Sequence, residues 1–207
     1  MQFIPNNETA PEREIIQHDH YIDALDYGIK LHLREKRLEN QERFSADRIV
    51  LFVHGATYPS VAGFDLPVPG YSWMDFAARR GFVAYSLDIR GYGGSTRPGE
   101  MDMPPLANPP VVRAEEAIRD LSVAVDHLRS KHSVEKVNLV GWSWGTVITG
   151  WYTSFNNNKV NRLVLYAPVY SVDRSDLATQ LEDPSRPGQP NYKIGAYRLV
   201  GFKDTVE

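Results

Sequence analysis

The sequence predicts one α/β domain with a mostly parallel β-sheet, an antiparallel hairpin at its start and helices on both faces. Short apolar runs rich in β-branched residues alternate with stretches of helical periodicity, which indicates β-α-β crossovers. Two strand-like runs at the start are separated by a turn, which indicates a hairpin. The chain has 207 residues, 42% of them hydrophobic, and this composition excludes disordered and fibrous classes.

The first half of the chain predicts four strands and one helix. The strands are residues 15–25, 29–38, 48–53 and 82–87. Asp26, Tyr27 and Gly28 separate the first two strands. The third and fourth are mostly apolar, as is typical of strands covered on both faces. Residues 71–80 predict a helix that ends at Gly81, because glycine is common just past the end of a helix.

The second half predicts a long loop, two helices and two strands. Residues 88–110 are rich in glycine and then in proline, which indicates a loop. Apolar residues three and four positions apart predict an amphipathic helix over residues 111–130. The remaining elements are strands at residues 136–140 and 160–166 and a helix at residues 144–155. On that helix we expect Trp151 to belong to the core.

The charge balance argues against nucleic acid and membranes as partners. The chain has 23 Lys and Arg against 26 Asp and Glu, a formal net charge of -3, so no strong field attracts phosphate or acidic lipid. The one dense basic stretch, residues 34–37, contains a glutamate and is typical of a solvated strand end. We therefore expect a small molecule as the main binding partner.

The absence of cysteine excludes a disulfide framework, a thiolate nucleophile and cysteine-based metal sites. We expect neither a metal nor another cofactor. The first residues lack the basic and apolar regions of a secretion signal, and no apolar run approaches the roughly 20 residues that cross a bilayer. These features predict a cytoplasmic protein.

The motif that carries chemistry is Gly141-Trp142-Ser143-Trp144-Gly145, directly after a predicted strand and directly before a predicted helix. A serine at such a tight turn presents its hydroxyl at the carboxyl edge of the sheet, beside the positive end of the helix. A serine hydroxyl is a weak nucleophile by itself. It needs a base to take its proton and hydrogen-bond donors for the oxyanion that forms.

Two further motifs occur in the same chain order. His54-Gly55-Ala56 follows the third predicted strand, and a glycine-rich segment, residues 88–95, follows the fourth. With the serine motif, they make residues 14–170 resemble the α/β-hydrolase superfamily. The resemblance implies that residues 1–170 are the N-terminal part of the hydrolase core, and that residues 171–207 begin a lid.

The resemblance also implies roles for individual residues. Ser143 is the nucleophile, and the N–H groups of Trp144 and Ala56 are the oxyanion donors, with Thr57 a weaker candidate for the second donor. His54 is implied to hold its loop rather than to act as a base. Asp88 and Arg90 correspond to residues that brace a loop.

The chain departs from the family pattern after Ser143, where the family has an acid and then a histidine. All six histidines precede Ser143. Asp173 is an alternative acid at a variant position, although an ordinary lid or loop carboxylate explains it better. We therefore expect that the last strands, the acid and the histidine are absent from this chain. They would belong to a complementary C-terminal chain of the same protein; association of identical copies is left open.

The serine argues against the dehalogenases and epoxide hydrolases of this fold, which need an aspartate at that position. Trp142 and Tyr58 suggest an aromatic-lined pocket for a small acyl compound, although core packing explains such aromatics equally well. The leading hypothesis is hydrolysis of a small ester, amide or lactone through an acyl-enzyme. A carbon–carbon-bond hydrolase, an acyltransferase or a non-catalytic ligand-binding protein of the same fold are the alternatives.

Overall fold

A mostly parallel six-stranded sheet is the centre of the fold. The computed structural model describes residues 13–169, 182–183, 185–191 and 195–197. The strands are β1 (Ile15–Asp23), β2 (Lys30–Leu38), β3 (Ile49–Val53), β4 (Val83–Leu87), β5 (Val137–Trp142) and β6 (Val160–Tyr166). They lie in the order β1-β2-β4-β3-β5-β6. The predicted fold class is confirmed.

The pairing directions follow from the connections. The short turn at Asp26 to Gly28 makes β1 and β2 antiparallel, and β2 is also antiparallel to β4. The remaining neighbours are parallel, because helical crossovers connect β3 to β4, β4 to β5 and β5 to β6. As a result β3, β4, β5 and β6 end at the same edge of the sheet, and the loops that follow them meet there.

Helices cover both faces of the sheet. They are α1 (Ser60–Phe64), α2 (Trp73–Ala78), α3 (Ala114–His132) and α4 (Trp144–Phe155). The larger core joins one sheet face to α3 and α4, and the smaller one joins the other face to α1 and α2. The amphipathic pattern of α3 buries Ala117, Leu121 and Leu128 against the sheet. Its last turn ends at Ser133, which has a left-handed backbone conformation.

Some local predictions are wrong. The five-residue helix α1 was not expected, and the proline-rich loop contains 3-10 turns at Gly99–Asp102 and Pro105–Ala107. Trp151 is 42% exposed rather than part of the core. The buried positions of α4 are Gly145, Thr146, Ile148, Thr149 and Tyr152. Trp151 lies off the stripe formed by positions 145, 148, 149 and 152, which has the spacing of one helix face.

The basic stretch at residues 34–37 is not a solvated strand end. It belongs to β2, which is internal to the sheet, and the side chain of Arg34 is only 18% exposed. Lys36 contacts the carboxylates of Asp65 and Asp75 at 2.6 and 2.8 Å. The glutamate of the stretch, Glu35, is buried and contacts Lys131 at 3.0 Å. The charges are therefore paired within the fold.

The sheet has an uncovered side at β6, which is an edge strand among the described residues. Val164, Leu165 and Tyr166 are each about half exposed along it. Of the predicted lid, only short pieces are described, and two of them, Glu182–Asp183 (β7) and Arg186–Pro190 (β8), pair as a separate antiparallel hairpin. None of the helices in the described ranges is long and apolar enough to cross a membrane.

Candidate active site

Ser143 occupies the turn between β5 and α4, at the carboxyl edge of the sheet. Its backbone has φ 52° and ψ -120°, a strained conformation for a residue with a side chain. The flanking glycines allow this turn. A Cβ on Gly141 would overlap Thr149 and the backbone of Gly145, and one on Gly145 would overlap the carbonyl oxygens of Val53 and His54. The predicted strand–serine–helix geometry is present.

Backbone hydrogen bonds hold the serine in this conformation. Its N–H donates to the carbonyl oxygen of Tyr166 at 3.0 Å. Its own carbonyl accepts from the N–H of Thr146 at 2.8 Å and from the Thr146 hydroxyl at 2.6 Å. The side chain is half-buried, and in the described part of the chain no hydrogen bond engages its hydroxyl. The Ser143 oxygen is therefore available to a substrate and a base.

The loop after β3, residues 54–59, lies against the serine, and we call it the donor loop. A Cβ built on Gly55 would lie 3.1 Å from the Cβ of Ser143 and 3.5 Å from its Oγ, so a larger residue there would crowd the serine. Within the described residues, neither the N–H of Ala56 nor that of Trp144 donates to an acceptor. The role of these two groups as oxyanion donors stays a prediction.

His54 is buried at the start of the donor loop and has a structural role, as expected. Its Nε2 accepts from the N–H of Ile89 at 3.1 Å, and its Nδ1 donates to the carbonyl oxygen of Gly55 at 2.6 Å. Burial lowers the pKa of His54, since the charged ring would lose hydration. The ring is therefore neutral at pH 7, and both of its nitrogens are engaged.

The loop after β4, residues 88–95, braces the site, and we call it the clamp loop. The buried carboxylate of Asp88 accepts from the N–H groups of Ser60 and Gly94 and contacts Nδ1 of His32 at 2.9 Å. Burial opposes ionisation of Asp88, yet its hydrogen bonds, that of His32 foremost, bring its pKa well below the usual range. Asp88 is thus a bracing residue.

Arg90 braces the same loop from the other side. Its guanidinium forms an ion pair with Asp120, which is fully buried on α3, and a second one with Asp26 in the opening turn. The backbone N–H of Arg90 also donates to Asp120 at 3.0 Å. This pairing ties the clamp loop to α3.

Aromatic side chains form a continuous group beside the serine. The rings of Tyr58 and Trp142 are nearly parallel, with centroids 6.5 Å apart. Trp142 also contacts Phe64, whose ring contacts Trp73. Trp73 in turn lies 5.2 Å from Tyr166, so the group extends from the donor loop to the end of β6. Phe64, Trp73 and Tyr166 were not among the predicted site residues.

None of the chain's histidines is placed to act as base for Ser143. All six lie in described ranges, and none forms a hydrogen bond with Ser143. His132 is half-buried on α3, with Nε2 2.8 Å from the Tyr85 hydroxyl. Tyr85 donates to buried Glu35 at 3.0 Å, so its oxygen accepts from His132.

Four aspartates follow Ser143 in the sequence, and three of them, Asp173, Asp176 and Asp204, lie outside the described residues. Asp183 accepts hydrogen bonds from Ser185 and Arg186, and these, that of Ser185 foremost, lower its pKa to about 2. Across the described ranges, no group of three or more histidine, aspartate or glutamate side chains could hold a metal ion.

Comparison with known proteins places these features in context. A family model described as alpha/beta hydrolase fold matches residues 48–203. Epoxide hydrolase 3 of Siraitia grosvenorii is 29% identical over 140 residues, which cover 66% of this chain and 35% of that protein. Epoxide hydrolase 2 of the same organism is 30% identical over 118 residues, which cover 56% of this chain and 30% of that protein.

The solved structures agree on the fold. The structure of a mutant epoxide hydrolase from Solanum tuberosum has a TM-score of 0.54 to this chain and 23% sequence identity. The match covers 81% of this chain and 47% of that one. The chain thus spans about a third of the length of the curated relatives that it matches, and less than half of this structure.

Proposed function

Because this chain belongs to the alpha/beta hydrolase fold family, we propose that it carries the nucleophile of a serine hydrolase that cleaves a small ester, amide or lactone. The observation that carries the proposal is the conformation of Ser143, φ 52° and ψ -120° between a buried strand and a helix. A residue with a side chain persists in such a conformation only where its surroundings impose it, and such residues cluster at reactive sites.

In the proposed reaction, the Ser143 oxygen attacks the carbonyl carbon of the substrate while a base takes the hydroxyl proton. The carbonyl oxygen becomes an oxyanion, which the N–H groups of Ala56 and Trp144 stabilise. The bond to the alcohol or amine then breaks, and this leaving group takes the proton from the base. Water attacks the resulting acyl-enzyme, releases the acid and restores the Ser143 hydroxyl.

The aromatic group supports a small, largely apolar acyl substrate. Trp142 precedes the nucleophile directly, and Tyr58 belongs to the donor loop, so both rings lie next to the proposed reacting centre. Aromatic side chains supply most of the contact area in small-molecule sites, while a few polar groups orient the ligand. We propose Trp142 and Tyr58 as substrate-binding residues on this basis.

Epoxides are the second candidate substrate class, because the curated relatives are named epoxide hydrolases. The chemistry of serine favours a carbonyl compound instead. Attack of a serine oxygen on an epoxide carbon breaks a ring C–O bond, releases an alkoxide that is then protonated, and leaves an ether on the serine, which offers water no carbonyl to attack. A carboxylate at that position would form an ester, which water can hydrolyse. Ser143 therefore favours esters, amides and lactones.

We further propose that the base and the acid come from polypeptide beyond residue 207, in the same chain or in a complementary one. Both ring nitrogens of His54 are engaged, and none of the other histidines forms a hydrogen bond with Ser143, which supports this. The unpaired outer edge of β6 is a suitable docking place for further strands, because it offers a row of free backbone donors and acceptors among the described residues.

The experiment uses the protein expressed from its complete reading frame. Ser143→Ala is compared with Ser154→Ala, which removes an exposed hydroxyl from the far end of α4. We expect Ser143→Ala to abolish turnover of p-nitrophenyl acetate and p-nitrophenyl butyrate, and to abolish the acyl adduct detected by mass spectrometry. Ser154→Ala should behave as the unmodified protein.

Two results would overturn the proposal. One is ester turnover that survives Ser143→Ala. The other is the absence of turnover on esters, amides and lactones together with hydrolysis of styrene oxide, which would assign the chain to the epoxide class despite its serine. A protein that binds such compounds but turns over none of them would be a non-catalytic member of the family.

A further inference from the structure

The donor loop and the clamp loop are joined at both ends of the donor loop. At its start, the N–H of Ile89 donates to Nε2 of His54 at 3.1 Å. Just after its end, the N–H of Ser60 donates to the carboxylate of Asp88 at 2.8 Å. Two neighbouring residues of the clamp loop therefore hold both ends of the segment that contains Ala56.

The middle of the donor loop depends on a different contact. Ala56, Thr57 and Tyr58 are exposed, so little packing restrains them. The hydroxyl of Tyr92, in the clamp loop, donates to the carbonyl oxygen of Ala56 at 2.6 Å. This hydrogen bond joins the clamp loop to the exposed middle of the donor loop.

The ring of Tyr92 also contacts two other rings near the serine. Its centroid is 4.6 Å from that of His54, which begins the donor loop, and 6.5 Å from that of Trp144. Tyr92 thus reaches Ala56 through its hydroxyl and the Trp144 side chain through its ring. Phenylalanine would keep these ring contacts and remove the hydrogen bond to Ala56.

Oxyanion stabilisation depends steeply on the position of its donors. Removing one donor typically lowers the rate by about 100- to 1000-fold, and a displacement of about 1 Å can cost about 100-fold. We propose that Tyr92 is a positioning residue: its hydrogen bond to the Ala56 carbonyl fixes the Ala56–Thr57 peptide, the C-terminal neighbour of the peptide that carries the Ala56 N–H, and so keeps that N–H aimed at the oxyanion. This inference rests on the proposed function. Tyr92 acts through the backbone of Ala56 and does not touch the reacting atoms.

The test compares Tyr92→Phe with Tyr27→Phe in the protein expressed from its complete reading frame. Tyr27 is fully exposed in the hairpin turn, so its substitution removes a hydroxyl far from the site. We expect Tyr92→Phe to lower kcat for p-nitrophenyl butyrate by about tenfold, since the donor is loosened rather than removed. KM should stay within about twofold, because the acyl pocket is unchanged.

A second readout reports on the oxyanion itself. Phenylboronic acid forms a tetrahedral anionic adduct on a serine oxygen, and its affinity should fall by about the same factor as kcat. Tyr27→Phe should change neither value. A loss of kcat with unchanged boronate affinity would mean that Tyr92 has only a structural role, and would overturn the inference.

The result also separates this inference from the proposed function. Unchanged kcat and boronate affinity in Tyr92→Phe, with Ser143→Ala inactive, would overturn the role of Tyr92 alone. Ester turnover in Ser143→Ala would overturn the serine mechanism and the role of Tyr92 with it. Parallel losses of kcat and boronate affinity at an unchanged thermal midpoint would support both.

Discussion

Nδ1 of His54 donates to the carbonyl oxygen of Gly55 at 2.6 Å, and this hydrogen bond sets the direction of the next amide, that of Ala56. The Gly55 C=O and the Ala56 N–H belong to one planar trans peptide, in which they point in opposite directions. Nε2 of His54 accepts from the N–H of Ile89, so the ring proton must be on Nδ1. A buried histidine thus orients a backbone donor without contacting the substrate.

His54→Gln should therefore impair catalysis more than folding. We expect kcat to fall by about 100-fold, since the Ala56 donor loses its orientation. The free energy of unfolding should fall by about 1–3 kcal/mol from the lost hydrogen bonds. His18→Gln, at an exposed position of β1, is the control and should change neither value. Nitrogen-15 NMR should show a neutral Nδ1-protonated ring for His54 at pH 7; a charged ring would contradict this account.

Replacing each of two glycines of α4 by alanine should change the free energy of unfolding in opposite directions. A Cβ on Gly145 would lie 2.7 Å from the carbonyl oxygen of His54 and closer still to that of Val53, where backbone cannot move away. Gly145→Ala should therefore lower the free energy of unfolding by about 1–3 kcal/mol. A Cβ on Gly150 meets nothing within 4 Å, so Gly150→Ala should stabilise the helix by about 0.5–1 kcal/mol. Urea denaturation measures both, and equal effects would contradict the close approach at the serine turn.

The pairing of Arg90 with Asp120 should be strongly coupled. Arg90→Met would leave the fully buried carboxylate of Asp120 without its counter-ion, and we expect a loss of about 3–5 kcal/mol in the free energy of unfolding. Burial already raises the pKa of Asp120. The double variant Arg90→Met, Asp120→Leu should recover much of that loss. Additive effects in this double-mutant cycle would show that the two groups do not interact in solution.

His32 should make stability depend on pH near neutrality. Its ring lies between the carboxylates of Asp88 and Asp19, at 2.9 Å from each, with Arg34 bound to Asp19 and the ring of Tyr21 alongside. The hydrogen bond to Asp88, helped by that to Asp19, raises the pKa of His32 above its usual 6.5. The folded protein therefore holds this proton more tightly than the unfolded chain does.

The stabilisation by His32 is thus complete below a pH of about 6.5 and is lost as the pH rises through the higher pKa of the folded state. The free energy of unfolding should decline over that range in the unmodified protein and stay flatter in His32→Gln. Urea denaturation at a series of pH values measures this. If the free energy of unfolding declined with the same slope in both proteins, a group other than His32 would be responsible for the pH dependence.

Buried strands and the serine turn could be predicted from the sequence because their requirements are local. Strands β3 and β4 are covered on both faces, which favours mostly apolar runs of five residues. Gly141 and Gly145 each face atoms that leave no room for a side chain, so the motif itself encodes the turn. The predicted and observed bounds of α4 and β6 are the same.

Other features depend on elements distant in the chain and could not be predicted in the same way. Whether Trp151 is buried depends on which side of α4 faces the sheet. The hydrophobicity of the tryptophan side chain does not reveal which side that is. The charges at residues 34–37 are paired because β2 is internal, a matter of strand order. Tyr166 could have been predicted to lie near the site, because it ends β6, and β6 lies beside β5, the strand that precedes Ser143.

The hydrogen bond from the Ser143 N–H to the carbonyl of Tyr166 also imposes an order on biosynthesis. When synthesis has reached the end of α4, the nascent chain contains Ser143 but does not yet contain β6, whose last residue accepts the hydrogen bond of the serine N–H. This backbone hydrogen bond of Ser143 can form only after the chain has continued through residue 166 and that strand has joined the sheet. A nascent chain that ends before residue 166 therefore lacks one of the bonds that hold the serine turn, and the turn is completed late in the folding of this half of the sheet.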